Sequence, residues 1–132
     1  MGAWGSSNFE NDDASDWLGE FCDDPNKEAI SNAFVAVNEI GDKYLEAPEC
    51  SMALAAAEVV AALKGVPNQN LPEEARECFV KLKIKPDSNM ISAAVNAVGR
   101  IRTDSELKEL WEEQDPAEWY MAVDDLAARL RQ

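Results

Sequence analysis

The run Ala53-Leu-Ala-Ala-Ala-Glu-Val-Val-Ala-Ala-Leu63 constrains this chain more than any other stretch. Its one polar side chain is Glu58. A helix built from it has no wet face to offer and must be covered on every side. Extended back to Met52 it is still only twelve residues, well short of the ~20 needed to cross a bilayer. The run therefore predicts a helix buried in a protein core, not a membrane span.

Helical punctuation recurs on both sides of it. Asn11 or Asp12 is placed to cap a first helix, with Ala14, Trp17, Leu18 and Phe21 at i, i+3, i+4, i+7 spacing. Asp23-Asp24-Pro25-Asn26 breaks it, and a second helix follows from about Lys27 to Tyr44 with the stripe Ile30, Ala33, Phe34, Val37, Ile40. Pro48 opens the third helix, which carries the apolar run and ends at Lys64 with Gly65 as its stop. Pro72-Glu73-Glu74 begins a fourth with Ala75, Cys78, Phe79 and Leu82. Asp87 or Ser88 caps a fifth, striped by Ile91, Ala94, Val95, Val98 and Ile101. Thr103-Asp-Ser-Glu106 has capping-box spacing for a sixth, with Leu107, Leu110 and Trp111 apolar. Asp115-Pro116-Ala-Glu118 starts a seventh, striped by Trp119, Val123, Leu126 and Leu130.

No alternating strand pattern competes with these. The expectation is an all-α fold of about seven helices in one domain over residues 1–132, with a non-helical segment 1–11 packed on the body. A weak repeat aligns Pro48-Glu-Cys-Ser-Met52 with Pro86-Asp-Ser-Asn-Met90. Antiparallel hairpins in a compact bundle and a short α-solenoid-like stack both fit that pattern.

Charge narrows the partners. The net charge is −14, and residues 1–28 supply half of it through eight acids against Lys27. Such acidity argues against nucleic-acid binding, which needs a basic face. Between Arg76 and Arg102 the balance reverses locally, with Arg76, Lys81, Lys83, Lys85, Arg100 and Arg102 against Glu77 and Asp87. Either the acidic N-terminal part folds against this zone, or each recruits its own partner.

The start of the chain lacks the basic and apolar regions of a signal peptide. Cys22, Cys50 and Cys78 are odd in number and widely spaced, with no C-x-x-C and no His anywhere. This argues against a disulfide framework and against a zinc site. Reduced, buried thiols in a cytoplasmic protein are expected.

The chemical inventory is thin. Without His there is no Ser–His or Cys–His nucleophile. No Gly-rich phosphate loop occurs, and no cofactor is implied. Carboxylates are what remain. Glu58 is costly to bury alone. It either accepts hydrogen bonds from the N-terminal segment, an indole N–H or an Arg, or it serves as a catalytic or metal-binding group. Asp12, Asp13 and Asp16, with Glu46 or Glu58, form a candidate set for a hard cation such as Mg²⁺ or Ca²⁺.

Trp4 and Phe9 precede the first helix. Phe9 is placed as a hydrophobic staple, and Trp4 should plug the body's surface. Trp4, Asp12, Asp16, Glu46 and Glu58 are the candidate binding residues, expected where the N-terminal segment meets the third helix.

The N-terminal stretch reads Met1-Gly2-Ala3-Trp4-Gly5, Phe9, Asn11-Asp12, Ala14, Asp16-Trp17. It resembles the signature of a family of small bacterial proteins of unknown function, as do the stretches Tyr44 to Gly65 and Asp104 to Glu113. Ser7 stands where that pattern usually has Gly. The resemblance implies a bacterial, cytoplasmic, all-helical protein and carries no activity across. Three functional readings remain open: a non-enzymatic acidic module that binds or inhibits another, basic protein; a carboxylate-based metal protein or metal-dependent enzyme; and a small-molecule pocket between hairpins lined by Trp and Tyr.

Overall fold

In the computed structural model, residues 7–132 are described. They form seven helices: α1 (Asp12–Asp23), α2 (Lys27–Asn38), α3 (Ala47–Leu63), α4 (Glu73–Val80), α5 (Ser88–Thr103), α6 (Glu106–Glu112) and α7 (Ala117–Leu130). There is no strand among the described residues.

The apolar run lies in α3, where Cys50, Ser51 and every residue from Ala53 to Ala61 are buried. α3 packs against each of the other six helices. In a solenoid each unit meets only its neighbours, so a central helix touched by all the rest makes this a compact bundle. The Ala positions keep α3 thin, and Leu54, Val59 and Val60 each contribute roughly 1.5–3 kcal/mol of burial. α2 and α5 pack on one another as well as on α3, and α7 closes over α3 and α5.

Side-chain caps set most of the helix starts. Asn11, Asn26, Asp87 and Ser105 accept backbone N–H bonds from Ala14, Ala29, Met90 and Lys108 respectively. The sixth cap is Ser105, not Thr103. Thr103 ends α5, with its hydroxyl bonded back to Gly99 O. Glu106 serves a different purpose: its carboxylate accepts from Ala47 N at 2.8 Å and its N–H donates to Leu45 O, tying the starts of α6 and α3 together.

α2 ends at Asn38, six residues before the predicted Tyr44. Gly41 takes a left-handed φ of 65°, and the Arg100 guanidinium of α5 holds Gly41 O at 2.7 Å and Lys43 O at 3.2 Å. The chain turns there and delivers Leu45, 1% exposed, to the core. α3 ends as expected on Gly65, with φ 91°. The N–H groups of Gly65 and Val66 bond Ala62 O and Ala61 O, a Schellman closure.

The expectation of reduced cysteines is overturned. Cys22 at the end of α1 and Cys78 on α4 form a disulfide, with Cα atoms 5.9 Å apart. Spacing along the chain carries no sign of this, because α3 intervenes and tertiary packing brings the two helices together. One ground for expecting a cytoplasmic protein goes with it. Cys50 is free and fully buried.

Candidate functional site

Glu58 sits near the C-terminal end of α3 with no exposed surface. Arg129 reaches it from the last turn of α7, where a cation also complements the helix dipole. The two meet as a fork: Nη1 to Oε1 at 2.8 Å and Nη2 to Oε2 at 3.0 Å. Arg129 is held from behind as well, by Asp125 one turn earlier at 2.8 Å and by the carbonyl of Val66 at 3.2 Å.

Two amides complete the cluster. Asn8 Nδ2 donates to Glu58 Oε2 at 2.8 Å, and Asn68 Nδ2 donates to the same oxygen at 3.1 Å. Four separate pieces of chain therefore converge on one carboxylate: the N-terminal segment, α3, the loop after it, and α7. Asn8 is 2% exposed, and its Oδ1 has no hydrogen-bond partner among the described residues. A carboxylate engaged by a bidentate guanidinium and two amides is charge-balanced and oriented. Its chemistry is that of a lock, not of a free base.

Beside this cluster the Gly65–Asn70 loop, Asp125, Arg129 and Gln132 line a polar groove of about 570 Å³. A second groove, of about 640 Å³, runs between the N-terminal segment, α1 and α4. Phe9, Leu18, Cys22, Pro72 and Ala75 form its apolar part, and Glu10 and Glu74 carry its charge. Its described lining holds neither Trp nor Tyr.

The remaining predicted site residues do not gather around Glu58. Asp12 and Asp16 lie exposed on α1, and Glu46 is exposed just before α3. Twelve residues of helical rise separate Glu46 from Glu58 by about 18 Å. Among the described residues no group of three or more His, Cys, Asp or Glu is placed to hold a metal ion. Trp4 lies outside the described residues. Phe9 is 5% exposed and belongs to the core. Trp119 is buried, while Trp111 is only partly so.

Sequence reasoning anticipated an Arg or the N-terminal segment as partner of Glu58, and both are there. It named neither Arg129 nor Asn8 and Asn68. The available signal was Arg129 itself, three residues after Leu126 and beside Leu130 on the apolar face of the last helix.

Elsewhere, the basic zone divides. Arg100 and Arg102 pair with Asp104 and Asp124, and Arg102 also stacks on the Tyr120 ring at 3.9 Å. Arg76, Lys81, Lys83 and Lys85 form no ion pair among the described residues. The same holds for the α1 carboxylates Asp12, Asp13, Asp16, Glu20 and Asp23, all exposed. The acidic N-terminal part is thus not neutralised by the basic zone within the described chain.

Residues 2–122 match the family described as Domain of unknown function (DUF4259). The chain belongs to that family. No curated protein and no solved structure matches it. Among the described residues no helix of this DUF4259 protein is long and apolar enough to cross a membrane.

Proposed function

We propose that this chain is a non-enzymatic, acidic protein-interaction module that binds or inhibits a basic partner. The observation that carries the reading is the outer face of α1. Five carboxylates lie exposed along it without a cationic partner among the described residues. Those charges remain free to steer a basic surface into contact. The buried carboxylate, by contrast, is already matched by Arg129.

The test is a capture experiment from cell extract at low salt with the native chain and with an Asp12→Lys/Asp16→Lys/Glu20→Lys variant, whose fold is checked by circular dichroism. The reading requires a basic protein retained by the native chain, lost from the variant, and released on raising salt. Identical captures by both chains would end it. A second reading, a small-molecule site, is supported by the 640 Å³ groove, whose volume is in the range of ligand pockets.

A further inference from the structure

α4 differs from the other short helix, α6, in being joined to its neighbour by a disulfide. It has eight residues, too few to be stable alone, and Ala75 is its one buried side chain. It packs chiefly against α1 and α3. The segments on either side, 66–72 and 82–87, contain neither helix nor strand. Val80 at its end is 77% exposed. Leu71 and Ala75 reach the core and Phe79, Leu82 and Ile84 pack on it only partly buried, and the one covalent tie to the body is the bond from Cys78 to Cys22. Both of these cysteines are half-buried, and Cys22 lines the groove that Pro72 and Ala75 wall on the α4 side. Cys50, the third, is sealed inside α3 and out of reach of exchange.

We propose that Cys22–Cys78 is a redox-sensitive clasp: reduction by a dithiol releases residues 71–85, which carry α4, from α1 while the rest of the bundle stays folded, the 66–70 stretch still held through Val66 and Asn68. The exchange balances. One thiolate of the reductant attacks the disulfide, forms a mixed disulfide and expels one cysteine thiolate. The second reductant thiol then closes the reductant's own disulfide and expels the other. Two electrons pass to the protein, and the two reductant protons end on Cys22 and Cys78. The consequence is an opened groove and a freed segment bearing Arg76, Lys81, Lys83 and Lys85.

Hydrogen-exchange mass spectrometry on the full chain tests this, comparing the oxidised protein, the protein in dithiothreitol, and the Cys22→Ser/Cys78→Ser variant. Amides of 71–85 should exchange at least about tenfold faster on reduction, with those of α2, α3 and α5 unchanged, as befits a local opening. Reoxidation should restore protection, and the variant should show the fast pattern with or without dithiothreitol. Protection lost evenly from every helix, or left unchanged in 71–85, overturns the proposal. So does titration of three free thiols in the protein before reductant is added.

Discussion

Arg129 engages Glu58 through both of its Nη atoms, at 2.8 and 3.0 Å, across 71 residues of sequence. Removing either partner strands a charge in the core. Arg129→Met is predicted to lower unfolding free energy by about 3–5 kcal/mol, the range for breaking a buried pair. The double variant Glu58→Met/Arg129→Met should recover most of that loss, because it leaves no unmatched charge. Urea denaturation followed by circular dichroism measures both. A single variant that loses under about 1 kcal/mol would show that water reaches the site.

Cys50 offers a pH-dependent prediction. Burial pushes its thiol up from 9.0 to about 11, and the neighbouring Ser105 side chain and Leu107 backbone pull it partly back. Between those two values the unfolded chain has lost the proton and the folded chain keeps it. Stability therefore falls as pH rises through that window, by about 2–3 kcal/mol in total. Cys50→Ala should flatten this part of the curve, read as denaturation midpoint against pH.

Thiol counting checks the cysteine pairing directly. The native protein should show no thiol reactive to Ellman's reagent, and one in denaturant, that of Cys50. Cys22→Ser should cost about 2–4 kcal/mol, since it frees a loop spanning 56 residues in the unfolded chain.

Phe9 anchors the described N-terminal segment. Phe9→Ala should lower stability by about 3–5 kcal/mol, the range for truncating a buried aromatic. An unchanged melting temperature would mean that the segment is not fastened by this ring.

Ser105 both caps α6, through Lys108 N at 3.1 Å, and donates its hydroxyl to Ile101 O at 2.7 Å. Ser105→Ala is predicted to cost about 1–2 kcal/mol, near the upper end for a cap because the hydroxyl serves both helices. Calorimetry on the purified variant reads the effect.

The helices were legible where local chemistry decides them. Asn11, Asp87, Pro48 and Gly65 announce boundaries through their own side chains or backbone freedom, and the structure has them in those roles. The end of α2 was not legible, because Arg100 from a distant helix holds the turn at Gly41 and Lys43. The disulfide was hidden for the same reason: α1 and α4 are brought together by packing on α3, far from each other in sequence. For the site, an apolar run interrupted by one Glu announces a buried carboxylate and a need for a countercharge. Which of the Arg residues answers depends on how α7 crosses α3, and that is a property of the assembled bundle.

The position of α3 has a consequence for synthesis of the chain. When its residues leave the ribosome, two of its six neighbours have been made and four have not. The faces of α3 that α5 and α7 cover therefore stay open until those helices arrive, about 70 residues later by the end of α7. A nascent chain halted before α7 also lacks Arg129, so Glu58 has no countercharge and holds the segment back from collapsing onto itself. Half-made copies should thus be the sticky, chaperone-dependent species, and a released full-length chain should not be.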